Sequence, residues 1–286
     1  MIYLTRFSFP DKEEEDSFYF SLKRTCYNTL YPFNILSKCG LSAIEFEPVT
    51  ILCGGNGSGK TTALKVIAGK LGLSKDTGFR KTGFFEEYEK RCSVQMNTGL
   101  PEGSRMITSD DVFDYMLNLR ALNAGIDRKR EELFEEYLDM KYSKFQMRSL
   151  EDYERLRKMN LSRSKTQSKY VKSNLAENVR EQSNGESAWF YFVQKIGEGA
   201  LYLLDEPENS LSVERLKELR GFLEDSARFF GCQFLIATHS PFLLSMKGAK
   251  IYDLDANPAR VTRWTEIRDV RTYYDFFKEH SDEFEA

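Results

Sequence analysis

Cysteine is sparse in this 286-residue sequence, and no two cysteines have the spacing of a pair: Cys26, Cys39, Cys53, Cys92 and Cys232 lie apart, with no C-x-x-C. That pattern reads as reduced thiols in a cytoplasmic protein, filling space as small buried hydrophobes, and not as a disulfide framework. No apolar run approaches the roughly 18–20 residues that span a bilayer, so no integral membrane segment is expected. The N-terminus lacks the basic, apolar and small-residue succession of a signal peptide. An excess of one charge is also missing: 41 basic residues face 44 acidic ones, a net charge of −3. This argues against a wholesale polyanion binder and leaves room for a local basic patch. Histidine is nearly absent, with His239 and His280 only, and neither internal repeats nor low-complexity segments are found.

What is present is an ordinary globular composition, 41% hydrophobic and 30% charged, long enough for one large domain or two small ones. The stretch that organises it is Val49 to Thr62. Val49 to Cys53 is apolar and rich in β-branched residues, enough for one buried strand. Gly54, Gly55, Asn56, Gly57, Ser58, Gly59, Lys60 and Thr61 then spell G-x-x-x-x-G-K-T, followed by Thr62. Glycines let the backbone turn sharply and present successive N–H groups to phosphate oxygens. Lys60 can reach the β- and γ-phosphates, and the Thr61 hydroxyl can ligate Mg²⁺. Ala63, Leu64, Ile67, Ala68 and Leu71 share one helical face beyond the loop, so the loop is predicted to lead into a helix N-terminus, which favours a bound anion.

Residues 1–48 predict an opening strand (Ile2 to Phe9), an acidic loop (Asp11 to Asp16), a second strand (Phe18 to Leu22) and a third (Ala43 to Phe46). Tyr31 and Phe33 read either as core aromatics or as rings that stack on a base. Beyond the loop, Gln95 closes a strand-like stretch, and Ser109 is an N-cap candidate with two acids in the following turn. Residues 126–182 are highly charged and mostly helix-forming. Within them Arg155, Arg157, Lys158, Arg163, Lys165, Lys169 and Lys172 occur with no acid between. A solvated helical face and a contact for nucleic-acid phosphate or an acidic partner both fit.

Four later stretches complete a pattern. Gln182 to Ser187 is a polar, Gly-containing turn before an apolar helix, Ala188 to Ile196. Leu201 to Leu204 is an apolar strand ending at Asp205 and Glu206, with Pro207 to Ser212 following, and Gln233 to Ala237 is a second buried strand ending at Thr238-His239-Ser240-Pro241. A carboxylate such as Asp205 at a strand's carboxyl end can hold Mg²⁺. Glu206 beside it can orient or deprotonate the water that attacks the γ-phosphorus. His239 can donate to the γ-phosphate and sense its loss.

In this order the motifs resemble the ABC-type ATPases: phosphate loop, glutamine loop, signature, Asp-Glu strand, D-loop and switch histidine, over most of residues 43–245. The resemblance implies ATP and Mg²⁺ as ligands. It places Gly54 to Thr62 as Walker A, Gln95 as the glutamine-loop metal contact, Asp205 as metal ligand, Glu206 as general base, Ser210 to Ser212 as D-loop and His239 as switch. Ser183-Asn184-Gly185-Glu186 stands where the signature Ser-Gly-Gly-Gln would be; Ser183 and Gly185 would close on ATP held by the other subunit of a head-to-tail homodimer. That departure, with Asp-Glu-Pro-Glu-Asn-Ser-Leu and Thr-His-Ser-Pro, is more similar to the soluble branch of RecF, SMC proteins and OLD-like ATPases. Too few residues follow Ser245 for a Toprim domain, and residues 126–182 lack the sustained heptads of a long coiled coil. The expectation is a stand-alone α/β ATPase domain over residues 1–286 with a mostly parallel core sheet, an N-terminal antiparallel β portion and residues 100–185 as a helical lobe. It would gate a DNA process or a protein partner, such as a nuclease or other effector, of the DNA-repair or phage-defence kind. The alternative is the nucleotide-binding subunit of an ABC membrane transporter.

Overall fold

The computed structural model describes residues 1–22, 29–78, 83–142, 153–175 and 184–285. In chain order it contains β1 (Leu4–Ser8), α1 (Lys12–Ser21), β2 (Ala43–Glu45), β3 (Val49–Cys53), α2 (Lys60–Leu71), α3 (Phe85–Arg91), β4 (Ser93–Met96), β5 (Arg105–Thr108) and α4 (Ser109–Tyr142). Then follow α5 (Tyr153–Ser164), α6 (Gln167–Asn174), α7 (Asn184–Lys195), β6 (Leu201–Asp205), α8 (Val213–Phe229), β7 (Gln233–Ala237), α9 (Pro241–Leu244), β8 (Lys250–Asp253), β9 (Arg260–Thr262), α10 (Arg268–Glu279) and α11 (Ser281–Glu285).

The larger sheet is ordered β5–β6–β7–β3–β8–β9 and is parallel except for β9. Its inner strands β3, β6 and β7 are buried at every position, which explains their unbroken apolar runs. Because β3, β6 and β7 are parallel neighbours, the residues that follow Cys53, Asp205 and Ala237 emerge at one edge of the sheet. In register, Asp205 lies opposite Ala237. A smaller antiparallel sheet, β2–β1–β4, forms from the N-terminal region and the distant Ser93–Met96 strand. The two sheets are tied by buried Gln233, whose amide accepts from the N–H groups of Tyr3 and Leu4 and donates to the carbonyl of Leu4. An α/β fold with a mostly parallel sheet and an antiparallel N-terminal portion is therefore observed.

One predicted strand is a helix. Phe18 to Leu22 reads as β from its aromatics, yet α1 covers Lys12–Ser21, and the acidic stretch is its first half. A capping box decides this: the Asp11 carboxylate accepts from the Glu14 N–H at 2.9 Å, and the Glu14 side chain accepts from the Asp11 N–H. Such a cap is worth about 1 kcal/mol. The aromatics still contribute to the core, since Phe18 stacks on Phe33 with centroids 4.4 Å apart. The helix after the polar turn also begins earlier than predicted, at Asn184, with Glu186 in its favourable acidic first turn.

The chain divides into two units, Met1–Phe113 with Asn184–Ala286, and Asp114–Ser183. Within the second, Leu133 and Tyr137 of α4 pack with Tyr170 and Val171 of α6 around a small core. Its basic residues Arg157, Arg163, Lys169 and Lys172 are exposed, and Lys158 pairs with Glu136 at 2.8 Å.

Candidate nucleotide site

Where β3 ends, the chain turns through Gly54 to Gly59 into α2. Two glycines are required by geometry. Gly54 has φ +146°, and a Cβ there would stand 2.8 Å from Ser58 Oγ; Gly59 has φ +101°, and a Cβ would stand 2.9 Å from Leu36 Cδ2. The loop is tethered from β8 as well: the Gly55 N–H donates to Asp255 Oδ2 at 2.8 Å.

Lys60, 4% exposed, points back under the loop. Its ammonium donates to the carbonyls of Gly54 (2.6 Å) and Gly55 (3.1 Å), and Glu206 Oε1 lies 3.9 Å away. The next residue on α2 reaches a different strand: Thr61 Oγ1 donates to Asp205 Oδ1 at 2.9 Å. Burial, joined by the neighbouring charge of Glu206, pushes the Asp205 carboxyl from the ordinary 3.8 up to about 6. The strand stops there, because Glu206 takes a left-handed backbone (φ +49°) that costs on the order of 1 kcal/mol or more for a non-glycine residue. Its N–H donates to the Ala237 carbonyl, and its Oε2 accepts from Asn209 Nδ2 at 3.0 Å. The carboxylate is thereby held in place beside Lys60.

His239 lies beyond β7, with its side chain 44% exposed. Glu208, from the 3-10 turn Pro207–Ser210, holds this end of β7: Oε1 accepts from Thr238 Oγ1 (2.6 Å) and from the His239 N–H (3.0 Å), and lies 3.5 Å from His239 Nδ1. A cavity of about 560 Å³ opens over the loop, within the size range of small-ligand pockets. It is lined by Asn56 to Thr62 and Glu206 and by residues from elsewhere in the chain, among them Asn34, Ile35, Lys38, Leu254 and Asn257.

Of the residues singled out from sequence, Gly54 to Thr62, Asp205 and Glu206 are brought together. Gln95 stands inside β4 of the smaller sheet, one residue from its end, exposed and outside the cavity lining. Gly185 is in the first turn of α7, whose Glu186 lies 3.4 Å from Arg215; Ser183 lies outside the described residues. Tyr31 packs on Phe85 and its hydroxyl donates to Thr62, while Phe33 is buried in the core. Sequence reading missed Glu208, Asp255 and the Asn34–Lys38 flank. The second carboxylate of Asp-Glu-Pro-Glu was the available signal for the first; the others are brought to the loop by tertiary structure alone.

The family model described as "AAA domain, putative AbiEii toxin, Type IV TA system" matches residues 113–245, which include Asp205, Glu206, Glu208 and His239. The match spans less than half of the chain and, with the G-x-x-x-x-G-K-T loop between β3 and α2, marks a likeness to P-loop ATPases. Three solved structures are similar in fold. The Smc head domain of Pyrococcus furiosus, solved with an extended coiled coil and bound to the C-terminal domain of ScpA, is 13% identical with TM-score 0.41, covering 77% of this chain and 91% of that one. The SMC head domain from Thermotoga maritima is 14% identical with TM-score 0.36, covering 78% and 92%. The ATP-binding cassette MJ0796, in a dimeric post-hydrolysis state bound to ADP and Pi, is 12% identical with TM-score 0.37, covering 80% and 92%. No curated protein matches the sequence. Among the described residues, no helix is long and apolar enough to cross a membrane.

Proposed function

We propose that this chain is a cytoplasmic ATPase that binds ATP with Mg²⁺ on Gly54–Thr62 and hydrolyses it in a head-to-tail dimer, gating a protein or DNA partner. The observation that carries the reading is the convergence of Lys60, Glu206 and the Thr61–Asp205 hydrogen bond at one sheet edge. Two of the three ammonium donors of Lys60 are spent on loop carbonyls, which fixes the side chain and leaves one donor for phosphate. Thr61 and Asp205 fit a hard cation: one hydroxyl and one desolvated carboxylate, with phosphate and water oxygens completing the shell. When bound, Mg²⁺ offsets charge on the transferring phosphoryl oxygens.

Glu206 serves as general base, oriented by Asn209 and by its constrained backbone. His239 is the switch: with Nδ1 turned to Glu208, its Nε2 is the ring nitrogen left for the γ-phosphate. Gln95 would be a further oxygen ligand for the metal ion. Asp114–Ser183 acts as a helical lobe, and Ser183 with the Gly185 N–H completes the ATP site of the opposite subunit.

Mixing two inactive variants tests the shared site. Ser183→Arg keeps its phosphate loop and Lys60→Ala keeps its signature, so a mixed head-to-tail dimer contains one intact composite site. The mixture is expected to regain ATPase activity that neither variant shows alone. Activity no higher than the sum of the separate variants contradicts the arrangement.

A further inference from the structure

The end of the chain carries an aromatic face that nothing in the nucleotide site uses. Ile267 and Val270 are buried and anchor α10, but the helix beyond them is uncovered. Tyr273 is 52% exposed, Tyr274 56%, Phe276 53%, Phe277 54% and Phe284 73%. Tyr273, Phe276, Phe277, His280 and Phe284 follow the helical period and fall on one side. Four of these rings touch in series, Phe276 to Phe277 at 5.5 Å, Phe276 to His280 at 4.7 Å and Phe277 to Phe284 at 6.0 Å, so the stripe continues from α10 into α11.

Charge narrows the occupant. Between Arg268 and Glu285 there are three basic residues, Arg268, Arg271 and Lys278, against six acidic ones. An acidic rim disfavours anionic lipid and nucleic-acid phosphate, both of which attract Lys and Arg. The charges are also polarised: Arg268 and Arg271 outnumber Asp269 at the start of α10, whereas Glu279, Asp282, Glu283 and Glu285 outnumber Lys278 at the end of the pair of helices. Two copies of the segment laid antiparallel put each basic end beside the partner's acidic end and oppose their helix dipoles. A parallel pairing would set like charges together. The area is sufficient. Aromatic side chains bury roughly 150–250 Å² each, so Tyr273, Phe276, Phe277 and Phe284 at these exposures, with the partly exposed ring of His280, offer on the order of 500 Å² per copy. Two copies together reach the ~1,000 Å² that marks a specific interface.

We propose that α10 and α11 pair with the same helices of a second copy as a two-fold symmetric, antiparallel aromatic contact that forms without nucleotide. This contact is separate from the ATP-dependent one proposed above and is tested without it. The probe is full-length Lys60→Ala protein, free of nucleotide, followed by sedimentation equilibrium at micromolar concentration. Its expected mass is twice the 33.3 kDa of the chain. Phe277→Glu, at an exposed position, is expected to reduce the mass to one chain with an unchanged far-UV circular dichroism spectrum. Arg268→Glu with Arg271→Glu is expected to weaken self-association about tenfold, as loss of exposed charge pairs on both sides of the axis implies. Adding Glu279→Arg and Glu285→Arg in the same chain is expected to restore it, since every basic end then meets an acidic end again. A one-chain mass for Lys60→Ala, a two-chain mass for Phe277→Glu, or no recovery in the charge-exchanged protein would each overturn the proposal. Binding of the Lys60→Ala protein to phosphatidylcholine vesicles that Phe277→Glu abolishes would do the same, assigning the face to lipid.

Discussion

Asp205 gives the account a test that needs no turnover. Burial raises its carboxyl from 3.8 to about 6, so in the nucleotide-free protein the ionised form destabilises the fold. The sign follows from linkage: a carboxyl whose folded-state value lies above its unfolded value binds protons more readily when folded. Stability is therefore lost as pH rises from about 4 to about 6, and the loss is complete above that. A shift of about two units at 1.36 kcal/mol per unit corresponds to roughly 3 kcal/mol. Asp205→Asn keeps the shape and an acceptor for Thr61 Oγ1 while removing the charge. Without nucleotide the variant should match wild type near pH 4 and exceed it above pH 6, by about 6 °C in Tm if 1 kcal/mol is worth ~2 °C in a chain of this size. With saturating ATP and Mg²⁺ the order should reverse, because wild type gains the ligand's stabilisation and the variant gains little. Thermal unfolding followed by circular dichroism across pH 4–8 measures both. A difference between the proteins that does not change with pH would refute the assignment of Asp205 as the buried, metal-facing carboxylate.

Two further outcomes are expected. Glu208→Ala removes the acceptor that holds Thr238 and His239, so kcat should fall roughly tenfold with nucleotide affinity unchanged, and Glu208→Gln should recover most of it; steady-state kinetics beside ATP titration checks this, and an unchanged kcat refutes the positioning role. If the exposed basic residues of α5 and α6 contact duplex DNA, affinity should fall by ~0.9 log units per log unit of salt for each phosphate neutralised. Changing Arg163, Lys165, Lys169 and Lys172 to Glu should abolish that binding, whereas equal binding by the variant, or none by wild type, leaves the segment as a solvated surface.

The parts of this fold that were legible in the sequence are those whose signal is local. A buried parallel strand is a continuous apolar run, and Val49–Cys53 and Gln233–Ala237 appear with the bounds read from composition. The loop between β3 and α2 was readable because its glycines answer backbone demands at fixed offsets. In α1, β-forming aromatics suggest a strand, but the capping box at Asp11 and Glu14 sets the local backbone, and tertiary stacking on Phe33 accommodates the aromatics. What was illegible acts across long sequence separations. β4 pairs with β1 from about 90 residues away, Asp255 tethers Gly55 from 200 residues away, and Glu208 supports His239 from the neighbouring strand's exit. Such contacts leave no periodicity to read.

The central claim, a site shared between two subunits and closed by ATP, is tested most directly by trapping it. Glu206→Gln removes the proposed base, and loss of such a group costs roughly 10²–10⁴-fold in rate, so this variant should hold ATP almost unhydrolysed. Combining it with Phe277→Glu removes the proposed aromatic contact, leaving nucleotide as the only cause of association. In light-scattering measurements with Mg²⁺, the double variant should be a single chain alone and with ADP, and a dimer with saturating ATP. A single-chain mass with ATP, at concentrations where titration shows every site filled, would contradict the shared-site mechanism.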